Sequence, residues 1–261
     1  MPIDTLSLEG KAAIVTGSGR ENGIGAAIAL ALARNGAAVT INYVSAASAE
    51  RAENVAKKIR SDGGRATVVA ADVSTSRGAQ TLVQETLKNF GVEKIDILIN
   101  NVGMPCTSLT LDVNDEELHQ LFSTNVYSAI FMAQSTIPYM PPGGRVINIS
   151  SALSKLGFGN EALYGASKAA MDALSFSWAH EFGKSRGITV NTVAPGPVMT
   201  DASKIQESTD EAIPAIIGLT RAADRLGTSE DVADAVLLLV SEKSRWITGQ
   251  YVSASGGMTG L

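Results

Sequence analysis

Short runs of consecutive apolar, β-favouring residues alternate along the chain with longer alanine- and leucine-rich stretches of helical period. Strands apolar at every position are buried on both faces, and regular alternation with helices is what repeated βαβ units around a parallel sheet produce. The first unit takes Ala12 to Thr16 as strand and Gly23 to Arg34 as helix, stopped by Asn35-Gly36 before a second strand, Ala38 to Tyr43. A helix from Ser48 to Ser61 ends at Asp62-Gly63-Gly64; strand Ala66 to Ala71, helix Ser76 to Phe90 and strand Ile95 to Asn100 come next. The second half continues with a long helix from about Asp115 to Ile137, stopped by Pro138, and strand Arg145 to Ser150, entered through Pro141-Pro142-Gly143-Gly144. Helix Ala162 to Ser185, strand Ile188 to Ala194, a break at Pro195-Gly196-Pro197, helix Ser229 to Ser241 and a strand near Gln250 to Ser253 complete the pattern. The expected architecture is a single doubly wound α/β domain over residues 1–261, with a parallel sheet of about seven strands flanked by helices. From Asp201 to Thr220 the period is lost while Ile205, Ile213, Ile216, Ile217 and Leu219 persist, which suits a substrate lid.

Composition narrows the classes. Hydrophobic residues make up 45% and charged residues 18% of the 261, the range of a compact globule with a large core. A net charge of -5 argues against a broad nucleic-acid or anionic-membrane surface. No apolar run reaches the roughly 18 residues of a membrane span, and Met1 to Gly10 has no apolar core, so a cytoplasmic location is expected. Cys106 is the only cysteine, which excludes an intrachain disulfide. His119 and His180 have neither metal-ligand nor triad spacing, so no metal is expected. Cys106 lacks a paired base and is read as a pocket-lining thiol; Trp178 and Trp246 are read as packing or interface residues.

Two local patterns carry chemistry. Strand one runs into Thr16-Gly17-Ser18-Gly19-Arg20-Glu21-Asn22-Gly23-Ile24-Gly25 and then directly into a helix. Glycines let the backbone approach a pyrophosphate, whose charge sits well on the unpaired N–H groups and positive dipole end of a helix. Strand two ends in Asn42-Tyr43-Val44-Ser45, with no acid to bind an adenosine ribose or repel a 2'-phosphate, and Arg20 can bring positive charge to that region. In the second pattern, Tyr164 and Lys168 lie four apart on a helix and project from one face. An ammonium beside a phenol favours the phenolate and brings an ordinary pKa near 10 closer to the working range for proton transfer. Gly165 between them costs about 1 kcal/mol relative to alanine in a helix, which close packing would offset.

Together these elements resemble the short-chain dehydrogenase/reductase family of Rossmann-type enzymes, whose phosphate loop reads TGxxxGxG and whose active site carries Tyr-x-x-x-Lys. Here Gly17 and Gly23 enclose five residues and not three, read as a two-residue insertion because the apolar strand ends at Val15-Thr16. The resemblance implies a catalytic set of Asn125, Ser151, Tyr164 and Lys168. It implies cofactor contacts from Gly17, Arg20, Gly23, Ile24, Asn42, Tyr43, Ser45 and the Asp72-Val73 pair. Further contacts come from Asn101 and Gly103 of the NNAG-like Asn100-Asn101-Val102-Gly103, from Tyr164 and Lys168, and from Pro195, Gly196, Val198 and Thr200 of the PGxxxT-like segment. Arginine with a neutral strand end matches the family's NADP(H) pattern. The implied function is NADPH-dependent reduction of a ketone to a secondary alcohol. Met104, Leu153, Phe158 and Met199, with Cys106 and Leu156, would line an apolar pocket for a small carbonyl substrate, and a homotetramer or homodimer is implied by the family's helical interface. Alternatives are 3-oxoacyl-carrier-protein reduction, for which Arg186 is available but Pro142-Gly143 stands where a second arginine is expected, and alcohol dehydrogenation or isomerisation on the same residues. A non-catalytic nucleotide sensor would be favoured by loss of the tyrosine or lysine, and both are present.

Overall fold

A computed structural model describes residues 6–200 and 212–259. The strands are β1 (Ala12–Val15), β2 (Ala38–Tyr43), β3 (Arg65–Ala70), β4 (Ile97–Asn100), β5 (Arg145–Ile149), β6 (Thr189–Pro195) and β7 (Tyr251–Ala254). They form one seven-stranded sheet in the order β3-β2-β1-β4-β5-β6-β7, parallel throughout. The order reverses between β1 and β4, and the crevice beyond the strand ends at such a switch point is where doubly wound sheets bind ligands.

The principal helices are α1 (Ile24–Arg34), α2 (Ala49–Ser61), α3 (Ser76–Phe90), α4 (Asp115–Phe122), α5 (Ser128–Thr136), α6 (Leu153–Leu156), α7 (Ala162–Arg186), α8 (Ala212–Ile217) and α9 (Ser229–Val240). Successive strand side chains point to opposite faces. Ala13 and Val15 therefore join a core with α1 and α9, which contributes Val232, Val236 and Leu237. Ile14 instead packs with Leu82 of α3, Met132 of α5 and Met171 of α7. Trp178 is buried among the second set, beside Phe182 with ring centroids 6.4 Å apart, whereas Trp246 is 96% exposed.

Most predicted elements lie within a residue or two of their expected limits, and three regions differ. The long helix predicted from Asp115 to Ile137 is interrupted by a π-helical turn, Ser123–Tyr127, that contains Asn125. Helix α6 is only four residues long, too short for periodicity to reveal. Of the predicted lid, residues 201–211 lie outside the described residues, and helix α8 occupies 212–217 where irregular chain was expected.

Gly165 answers to a close approach. A Cβ built there would sit 2.8 Å from the Leu153 carbonyl oxygen, so α6 can lie against α7 only over a glycine. Gly165→Ala therefore gains helix propensity but forces α6 outward. The expected net loss is about 1–3 kcal/mol of stability, read as a lower midpoint in thermal unfolding.

Candidate active site

At the end of β1 the phosphate loop is knotted to its neighbours by side chains. Gly17 has φ of 61°, a left-handed conformation that favours glycine. Its N–H donates to Asn42 Oδ1 at 3.1 Å, and its carbonyl accepts from Asn101 Nδ2 at 3.2 Å. The Ser18 hydroxyl is buried, donating to the Val15 carbonyl at 2.7 Å and accepting from Asn42 N–H at 3.1 Å. Thr16 Oγ1 accepts from the N–H groups of Asn101 at 2.9 Å and Val102 at 3.1 Å, which fixes the loop after β4 against the loop after β1. Strand β1 stops at Val15, and Gly23 N–H closes a turn onto the Arg20 carbonyl at 2.9 Å. The extra residues thus form an exposed turn carrying Arg20.

The site fits a dinucleotide phosphate on local chemistry. Gly23, at the N-cap of α1, makes no side-chain capping bond, and the N–H groups of a helix's first turn favour an anion. Gly25 lies under the loop: a Cβ there would come 2.5 Å from Asn101 Nδ2 and 2.9 Å from the Gly17 carbonyl. The Ser45 and Ser48 hydroxyls lie 2.9 Å apart beyond β2, in front of α2, with Tyr43 at the strand end. Asn42 differs from its expected role: its side chain is buried, and its amide donates to carbonyls of Tyr43, Val69 and Ala71. It shapes the loop from beneath. Asp72 is exposed and accepts from Ser74 N–H at 3.0 Å and Ser74 Oγ at 2.7 Å, ordering the turn before α3, while Val73 is buried beside it.

Tyr164 and Lys168 project from the first turns of α7 toward the ends of β4 and β5. Lys168 is buried and its Nζ donates to the Ile149 carbonyl at 3.0 Å, 5.9 Å from the Tyr164 ring centroid. Gly103 approaches so closely that a Cβ would lie 3.0 Å from that Nζ. Ser151 comes just after β5 and is buried, with its Oγ accepting from Leu153 N–H at 3.2 Å. Asn125 sits in the π-helical turn, where its Oδ1 accepts from Met104 N–H at 2.8 Å. Its Nδ2 donates to the Met104 carbonyl at 3.0 Å and to Ser167 Oγ at 2.9 Å. Its side chain is therefore a clamp between the loop after β4 and α7, and Met104 is held as its backbone partner.

Electrostatics alter the expected roles. Burial lowers the Lys168 ammonium to about 8, with the Asp172 carboxylate opposing the fall. Burial also raises the Tyr164 phenol above its ordinary range; the Ser151 hydroxyl opposes this and the Glu161 carboxylate adds to it. The expected lowering by Lys168 is not seen: desolvation dominates, and the group that opposes it is the Ser151 hydroxyl. Tyr164 is protonated at neutral pH, the state a proton donor needs.

Beyond β6, Ala152 N–H donates to the Pro195 carbonyl at 2.8 Å and Gly196 N–H to the Ala254 carbonyl at 3.1 Å, which anchors the segment expected to face a nicotinamide. Val198 is buried and bridges to Gly227, Thr200 is buried, and Met199 is half exposed. Leu153 and Phe158 border a cavity of about 220 Å³ with Glu161, Gly165 and Ala166, and neither Met104 nor Met199 lines it. Cys106 is buried, its thiol donating to Glu117 Oε1 at 3.6 Å, and burial raises it, so a nucleophilic role has no support. Glu161 and Asp172 escaped the sequence reading; their signal was spacing, Asp172 lying four residues beyond Lys168 and Glu161 three before Tyr164.

A glycine loop at the switch point of a doubly wound sheet, facing a tyrosine–lysine pair, defines a nucleotide-dependent oxidoreductase. The chain belongs to the short-chain dehydrogenase/reductase family. Residues 17–259 match the family model described as enoyl-(acyl carrier protein) reductase. The short-chain dehydrogenase/reductase FrzI of Cladobotryum sp is 41% identical over 256 residues, covering 97% of each chain. The hydroxynaphthalene reductase arp2 of Aspergillus fumigatus is 35% identical over 258 residues, covering 95% of this chain and 92% of the relative. Among solved structures, the angucycline C-6 ketoreductase LanV with bound NADP superposes with a TM-score of 0.89 at 34% identity, covering 97% of this chain and 96% of that one.

Proposed function

We propose that this enzyme uses NADPH to reduce an apolar cyclic ketone, of the polycyclic aromatic class, to a secondary alcohol. The observation that carries the reading is the Tyr164–Lys168 pair on α7, with Lys168 Nζ 5.9 Å from the Tyr164 ring centroid and held by the Ile149 carbonyl; burial keeps the Tyr164 phenol above its ordinary range, and the Ser151 hydroxyl acts on it. Bound NADPH supplies the hydride. Ser151 donates a hydrogen bond to the carbonyl oxygen as charge builds there, and Tyr164 delivers its phenolic proton to that oxygen. Lys168, charged below about pH 8, stabilises the phenolate left behind and holds the ribose. Asn125 keeps Met104 and α7 in register, and so acts as a positioning residue for this set. The names of two relatives, a hydroxynaphthalene reductase and an angucycline ketoreductase, support the substrate class.

The cofactor is NADP(H). Arg20, exposed on the inserted turn, and the Ser45–Ser48 pair flank the neutral end of β2 and offer donors to a 2'-phosphate. Arg20→Ala should reduce the preference for NADPH over NADH by roughly ten- to a hundredfold, the loss of one charge-assisted contact. The ratio of kcat/KM for the two cofactors measures this, and an unchanged ratio would remove Arg20 from the phosphate site. The broader reading is tested by oxidation of NADPH against aliphatic, aromatic, polycyclic and thioester ketones. Preferential turnover of polycyclic ketones supports it; preference for the thioester would favour carrier-protein chemistry. A homotetramer or homodimer is part of the same proposal, supported by Phe176 of α7, 71% exposed on a helix face that also exposes Ala162 and Ala166.

A further inference from the structure

Asp172 is an acidic side chain in the interior edge of the fold that the reaction as described does not use. It lies one helical turn beyond Lys168, so Tyr164, Lys168 and Asp172 form a single stripe on α7. Its side chain is 9% exposed. Oδ2 accepts from the Ser154 hydroxyl at 2.7 Å and pairs with Lys155 Nζ at 3.7 Å, both on α6. Lys155 in turn lies over the Tyr251 ring of β7, 5.2 Å from its centroid. Helix α6 begins two residues after Ser151, whose Oγ accepts from Leu153 N–H, so whatever fastens α6 also fixes the serine that faces the carbonyl.

Among the described residues, Lys168 has few neighbours that could balance its charge. The Ile149 carbonyl faces it from β5, the Gly103 backbone from the loop after β4, and the neutral Asn125 amide stands behind that loop. Among the described residues, the carboxylate acting on it is Asp172, one helical turn away; burial raises that carboxyl, and the Ser150 and Ser154 hydroxyls and the Lys155 ammonium on its far side oppose the rise. We infer that Asp172 is a positioning residue of the active site, which balances the buried Lys168 ammonium from behind and pins α6, and with it Ser151, against α7. The inference rests on the reading of Lys168 as part of the site.

Two substitutions separate charge from anchoring. Asp172→Asn keeps an oxygen for the Ser154 hydroxyl but removes the negative charge, whereas Ser154→Ala removes the hydrogen bond and keeps the charge. A third, Lys155→Met, removes the cation that partly neutralises Asp172, at a half-exposed position that tolerates change. The readout is the Lys168 titration in the cofactor-free protein, followed by NMR of the labelled lysine side chain, together with the alkaline limb of the kcat/KM profile for ketone reduction. Asp172→Asn should move the Lys168 midpoint down by about one pH unit, Asp172→Glu should restore it, and Lys155→Met should move it up. Ser154→Ala should lower kcat without moving the midpoint. The inference is overturned if Asp172→Asn and Lys155→Met both leave the midpoint in place, or if Ser154→Ala shifts it as far as Asp172→Asn does. Should Asp172→Asn fail to fold, the opposite shift required of Lys155→Met still decides. The titration needs no turnover, so an enzyme that reduced no ketone would refute the proposed function without touching this result.

Discussion

Tyr164→Phe lowers kcat for ketone reduction by about 10²–10⁴-fold, the range for loss of a positioned general acid, while NADPH binding stays near that of the unaltered enzyme. In free energy this is about 3–5 kcal/mol of the barrier. The substitution removes only the hydroxyl, so the ring keeps its packing at the start of α7 and the Lys168 hydrogen bond to Ile149 is untouched. The protonation state makes the loss direct. Burial holds the phenol above its ordinary range, so at neutral pH the proton to be delivered is already on Tyr164. Fluorescence titration with NADPH beside steady-state kinetics separates the two effects. A fall in binding equal to the fall in rate would mean that Tyr164 serves the cofactor and not the carbonyl.

Gly25→Ala abolishes measurable NADPH binding and destabilises the chain. A methyl at this position meets Asn101 Nδ2 at 2.5 Å, the Gly17 carbonyl at 2.9 Å and Ser18 Cα at 2.9 Å. None of these can swing freely aside. Asn101 is held by the Thr16 and Gly17 carbonyls, and Ser18 by Val15 and Asn42. The loop must therefore lift away from α1, and the helix N-terminus loses the backbone that would bring a pyrophosphate to it. Overpacking of this kind costs about 1–3 kcal/mol in stability, and the cofactor loss adds to it. Calorimetric titration with NADPH on protein that remains folded by circular dichroism checks the result; binding within threefold of the unaltered protein, taken as roughly 0.7 kcal/mol, would show that the loop does not carry the phosphates.

How far the sequence is legible depends on how strongly each feature is patterned. The strands are mostly apolar and the helices periodic, so a doubly wound parallel sheet of about seven strands is legible in the sequence, whereas the strand order and its switch point come from the structure. The Tyr164–Lys168 pair is legible because helical spacing alone puts both on one face. The π-helical turn at Asn125 is not, since one wide turn leaves the apolar pattern of the helix intact on either side. Asn42 misleads because a neutral residue at the end of β2 reads equally as a ligand contact or as a buried tether, and only its four internal hydrogen bonds distinguish them. Leu153 and Phe158 are expected beside Met104, but Leu153 on the short helix α6 and Phe158 just after it line a cavity against α7 that Met104 does not border. The direction of the Tyr164 shift is also hidden, because a nearby cation can be counted from sequence and the degree of desolvation cannot.

Transfer of deuteride from 4-deuterated NADPH to a polycyclic aromatic ketone tests the proposed reaction most directly. The expected product is an alcohol carrying deuterium on the former carbonyl carbon, formed by the unaltered enzyme and reduced at least a hundredfold, about 2.7 kcal/mol, in Tyr164→Phe. An enzyme that binds NADPH tightly yet transfers no label to any ketone, or one whose Tyr164→Phe variant transfers it at an undiminished rate, would contradict it.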